Sequence, residues 1–118
     1  MLSINDSVNN SVSSPLNAKT TVYATSLVVK TTGGVLYGVG GYNSKATAQF
    51  VQFYDAAALP ADTAVPVFVI SVPATSNFSV DFGEKGMTFT NGIVIGNSST
   101  GPTKTIGSAD LWISARYK

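Results

Sequence analysis

The chain has 118 residues, enough for one domain with a single hydrophobic core. It contains no cysteine and no histidine, which removes thiol nucleophiles, imidazole bases, thiolate metal sites and disulfides together. Charged residues make up 11% of it, against roughly 25% in an average globular domain, and the net charge is +1.

The basic residues Lys19, Lys30, Lys45, Lys85, Lys104 and Arg116 are scattered, so no footprint for nucleic acid forms. The polar surface must come from Ser, Thr, Asn and Gly. Such a surface costs less to desolvate than one covered in Lys and Glu, and interface cores are depleted of charge in the same way. It suits an assembled protein and a small extracellular-type β domain alike. No apolar run approaches the ~18 residues of a membrane span. The segment MLSINDSVNNS has neither the basic region nor the apolar block of a signal peptide. The expectation is a chain without a nucleic-acid partner, a membrane segment or a cofactor.

In chain order, residues 1–20 read as a first unit, an extended N-terminal arm. It is rich in Asn and Ser, and its apolar residues Leu2, Ile4, Val8, Val12 and Leu16 keep no sustained period. Such an arm lies on a neighbouring subunit or partner, or folds back on its own domain as an edge strand. Residues 21–118 read as the second unit, and strand signals begin at once. Tyr23–Thr31 is β-branched and aromatic-rich, and Thr32-Gly33-Gly34 turns the chain. Val35–Tyr42 is a strand whose internal glycines mark a bulge or a close backbone approach. Ala46–Asp55 alternates Val51 and Phe53 against Phe50, Gln52 and Tyr54. Both faces carry aromatics, so the second face should also be covered, by the arm or by another subunit.

Ala56–Ala64 is a loop stopped by Pro60. Val65–Val72 is an apolar run of strand length, and Asn77–Phe82 alternates with Phe78, Val80 and Phe82 inward. Gly83-Glu84-Lys85-Gly86 turns. Met87–Thr90 and Ile93–Gly96 flank Asn91-Gly92, a type I′ hairpin signal. After a Ser/Thr/Gly loop, Asp110–Tyr117 closes the chain, with Leu111, Ile113 and Ala115 opposite Trp112, Ser114 and Arg116. About eight strands at intervals near ten residues predict an all-β protein. The fold class is an antiparallel β-sandwich, jelly-roll or immunoglobulin-like.

No constellation declares a chemistry. The glycine-rich run from Gly38 to Lys45 lacks the Gly-Lys-Ser/Thr ending of a phosphate loop and precedes a strand. Asp55, Asp62, Asp81, Glu84 and Asp110 fall on separate loops and strands, where carboxylates commonly cap turns. Serines have no histidine partner. A serine–lysine pair stays open, although no serine stands out. The tyrosines belong at the core edge with their hydroxyls in water. Trp112 reads as core or subunit interface, or alternatively as part of a sugar-stacking platform. The expectation is a protein that is not an enzyme and holds no catalytic, cofactor or metal residue.

The block PVFVISVPATSNFSVDFGEKGMTFTNGIVIGNSSTGPT, followed by SADLWISARY, resembles short β-rich virion structural proteins of tailed bacteriophages. The likeness runs from Ser26 to Tyr117. Its marks are the aromatic-Asp-Ala segment at Phe53–Ala56, Val72-Pro73, Asp81-Phe82-Gly83 and Asn91-Gly92-Ile93. The resemblance implies a non-enzymatic, head-associated role: a capsid cement or decoration protein binding the outer head and stabilising the shell. Its partners would be the major capsid protein and itself, as a trimer on the capsid exterior of the virion. Leu2, Ile4, Val8, Val12, Leu16 and Trp112 are the expected interface residues. The alternative is a carbohydrate- or receptor-binding module of a head fibre or tail, which needs Trp112 or two tyrosines exposed in a shallow patch.

Overall fold

The computed structural model describes residues 15–118. Among them are nine strands and no helix. The first sheet holds β1 (Leu16–Lys19), β3 (Gly34–Asn43), β6 (Ser76–Asp81), β7 (Met87–Phe89) and β9 (Leu111–Tyr117). The second holds β2 (Ser26–Lys30), β4 (Gln49–Tyr54), β5 (Phe68–Val72) and β8 (Ile93–Ser98). Strand order is β1-β9-β3-β6 in the first, with β7 also on β3, and β2-β8-β4-β5 in the second. Every pairing is antiparallel.

The strands β6 and β7 are two pieces of one edge, laid end to end along β3. With that edge counted once, β1 pairs β9, β2 pairs β8, β3 pairs β6 and β4 pairs β5. Outermost pairs with outermost and innermost with innermost, as in a long hairpin rolled into two sheets. That nesting is a jelly roll, and it decides between the two topologies left open above.

Alternation builds the core between the sheets. Leu36 and Val39 of β3, Val51 and Phe53 of β4, and Ile113 of β9 are all buried there. A register shift between Leu36 and Gly38 is the bulge that the strand glycines announced, and it lets both Leu36 and Val39 face inward. Phe53, Phe68 and Phe82 meet edge to face with centroids 5.2–5.9 Å apart. At Gly41 a Cβ would stand 2.1 Å from the Trp112 carbonyl oxygen and 2.6 Å from the Phe78 ring, so only glycine fits between these strands.

Four expectations change. Asn91-Gly92 does not close a hairpin; it carries the chain from β7 in one sheet to β8 in the other. The Asp55 carboxylate holds this crossing by accepting from the Thr90 and Asn91 amides at 3.1 and 2.7 Å. Gly92 lies so close to Ala56 that a Cβ would come within 2.3 Å of its carbonyl oxygen. Val65 and Val67 are exposed and precede β5, because Pro66 lacks the N–H a ladder needs.

Residues 16–19, placed above within the arm, form an edge strand of the chain's own first sheet. Leu16 stands opposite Tyr117 and Lys19 opposite Ser114. Finally, the outward face of β4, assigned above to a cover by the arm or another subunit, is covered among the described residues from within the domain. Two loops of the same chain cover it.

Candidate binding surface

The two outer faces of the jelly roll are dressed differently. On the second sheet, loops 55–67 and 99–107 close over Phe50, Gln52 and Tyr54. Gln52 is fully buried, and its amide nitrogen donates to the carbonyls of Thr100, Gly101 and Thr103 at 2.9, 2.8 and 3.2 Å. Its own carbonyl accepts from the Tyr54 hydroxyl. That phenol is therefore buried, not at the wet edge of the core. Burial, with the Asp62 charge adding to it, pushes its pKa up to about 12.

The loops are tied to each other as well. The Lys104 ammonium, buried, meets the half-exposed Asp62 carboxylate at 2.6 Å, while the Thr63 amide donates to the Lys104 carbonyl and the Lys104 amide donates to the Ala64 carbonyl. The Lys104 and Ile106 donors hold the Asp62 carboxyl below its ordinary range. Every residue of β8 is consequently buried on both faces.

The outer face of the first sheet carries no such cover among the described residues. Its register sets outward side chains in three rows across the strands. Asp81, Gly38, Arg116 and Asn17 make one row; Ser79, Gly40, Ser114 and Lys19 make the next; Asn77, Tyr42 and Trp112 make the third. Rows two residues apart along antiparallel strands lie about 7 Å apart. Ser79, Gly40 and Ser114 of the middle row are small, so a groove of about 470 Å³ runs over Gly40 between Trp112 on one side and Asp81 and Arg116 on the other.

Beyond Trp112 a second hollow of about 450 Å³ opens towards Lys19–Tyr23. There the segment after β1 follows the edge of β9: Thr20 bonds Ile113, and Ala24 bonds Leu111. Held in this way, the strap leaves Val22 70%, Tyr23 48% and Trp112 43% exposed.

Of the six expected interface residues, Leu2, Ile4, Val8 and Val12 lie outside the described residues. Leu16 is exposed on β1, and Trp112 is exposed on β9 rather than in the core. Val22 escapes the sequence reading, and Tyr23 reads there as the start of a strand with its ring at the core edge, because their exposure depends on the strap's bonds to β9, which alternation cannot show. Asp81 caps a turn as expected, accepting from the Gly83 amide at 2.7 Å.

A serine–lysine contact does exist: Lys45 Nζ donates to Ser108 Oγ at 3.0 Å, and the Ser108 hydroxyl donates to Asp110. With Ser44 also bonded to the Asp110 carbonyl, this cluster fastens two loops at one end of the sandwich. Among the described residues, no three acidic side chains gather in a metal-binding group, and no helix is long and apolar enough to cross a membrane. No family model, curated protein or solved structure matches the chain.

Proposed function

We propose that the chain is a non-enzymatic virion structural protein, a capsid cement or decoration subunit seated on the outside of a phage head. The observation that carries this reading is the apolar corner of Val22, Tyr23 and Trp112, held out by a bonded strap on an otherwise low-charge surface. Burying a large apolar side chain completely contributes about 1.5–3 kcal/mol. Three half-exposed ones give a weak contact per copy, and a lattice of copies multiplies it.

In this reading the corner packs against sister subunits of a homotrimer. Leu2, Ile4, Val8 and Val12 extend the contact onto the major capsid protein. The fastened loops of the second sheet leave the sandwich rigid, so it presents the corner without ordering cost. The resemblance to virion proteins supplies the identity of the shell; the corner supplies the means of attachment.

Val22→Asp tests the corner, and deletion of residues 2–14, which spares β1, tests the arm. Each variant folds as the parent does and is lost from purified virions on washing. Retention of both at parental levels would sink the reading. Trp112 is the chain's one tryptophan, so its fluorescence gives a second readout. Quenching by a soluble quencher is efficient in free chain and suppressed on particles.

A further inference from the structure

We propose that the groove over Gly40 on the first sheet is a binding site for a neutral saccharide. The inference stands independently of the shell reading, since Gly38, Gly40, Asp81 and Arg116 of the groove take no part in the apolar corner. The volume of about 470 Å³ falls within the ~300–1,000 Å³ usual for small-ligand sites.

Gly40 is the telling residue. Gly41, its neighbour, is required by close packing, but a Cβ at Gly40 would meet nothing nearer than the Phe78 carbonyl oxygen at 3.7 Å. Its φ lies outside the positive range, which among glycines only Gly83 and Gly86 adopt. A strand glycine that neither packing nor backbone demands weakens its strand. What its missing side chain does provide is the open floor of the groove.

The walls fit a sugar. Trp112 lines the groove and offers ring surface to the apolar face of a pyranose, with Tyr42 directly opposite it on β3. Across the floor, Asp81 and Arg116 flank Gly38, with Asn17 beyond, supplying carboxylate acceptors, a guanidinium fork and an amide. Ser79 and Ser114 line the floor on either side of Gly40. Sugar hydroxyls both donate and accept, and this mixed set answers them. Neither sign of charge dominates, which favours a neutral ligand over an anionic one. A polypeptide fits less well, because the groove crosses the face of a sheet whose backbone groups are already paired.

The test is binding of immobilised linear neutral oligosaccharides of glucose, mannose and galactose to the parent chain, to Gly40→Val and to Trp112→Ala. The parent binds at least one configuration. Gly40→Val retains or raises the melting temperature and loses at least about tenfold in affinity, the equivalent of one well-placed contact. Trp112→Ala loses binding too, while Val22→Asp leaves saccharide binding intact. Failure of the parent to bind any of these sugars would overturn the proposal, as would equal binding by Gly40→Val. Loss of particle retention by Gly40→Val without sugar binding would assign the groove to a protein partner and overturn it as well.

Discussion

Gln52 stands in the middle of β4 on the face turned away from the core, yet it is fully buried. Three loop carbonyls and one phenol converge on its amide. Gln52→Leu keeps the volume and removes every partner, so urea denaturation should show a loss of about 1–3 kcal/mol. The Tyr54 phenol beside it is neutral in the folded state to about pH 12 and ionises near 10.0 when unfolded. Its contribution is complete below pH 10 and is lost as pH rises from there towards 12. Thermal melts should therefore decline across that interval, and Tyr54→Phe should decline less. Two glycines make a paired prediction. Gly92→Ala forces a Cβ against the Ala56 carbonyl and costs about 1–3 kcal/mol, whereas Gly40→Val is tolerated. Much at this scale was legible: the alternation of Phe50, Gln52 and Tyr54 against Val51 and Phe53 announced two covered faces. What covers the second one was not legible, because Gln52 finds its partners about fifty residues away.

At the scale of elements, strands read well and connections read poorly. β3, β4, β6 and β9 follow their apolar periods closely, since each has one face on the core. Asn91-Gly92 has the composition of a hairpin turn, but the Asp55 carboxylate and the closeness of Ala56 commit it to a crossing between sheets. Turn chemistry reports that the chain bends there and leaves open which strands it joins. The two covering loops are joined by Lys104 and Asp62, a buried ammonium and a half-exposed carboxylate. Asp62→Asn leaves the ammonium without its anion, and the melting temperature should fall. In Asp62→Asn/Lys104→Met, removal of the buried charge should restore much of it. If the double variant melts below the single one, the ammonium is not the source of the loss. Leu16–Lys19 joined the sheet because Leu16 to Lys19 meet Tyr117 to Ser114 in register, a pairing that an aperiodic polar sequence does not display.

For the whole molecule, the Asp55 and Asp62 carboxyls both lie below their ordinary value of 3.8, held down mainly by backbone donors at Asp55 and by Lys104 at Asp62. Groups depressed in this direction contribute fully above 3.8 and lose that contribution as pH falls through their folded values. Stability should hold from neutral pH down to the region of 3.8 and fall below it. Asp55→Asn should be less stable at neutral pH and show a shallower acid fall. Among the described residues, the jelly roll spends its loops on one outer face and leaves the other without a loop cover. The fastened side gives rigidity. The other side carries the apolar corner and the glycine-floored groove, to which we assign attachment and sugar binding, and both depend on register between strands distant in sequence. Trp112 borders both, which is why the sequence could single it out and still not place it. The central claim is that many copies of this rigid unit coat a phage head. The most direct measurement is quantitative mass spectrometry of phage particles purified from a host that carries the coding sequence. The account predicts this protein in fixed, lattice-scale proportion to the major capsid protein. Its absence from virions, or a few copies per particle, would contradict it.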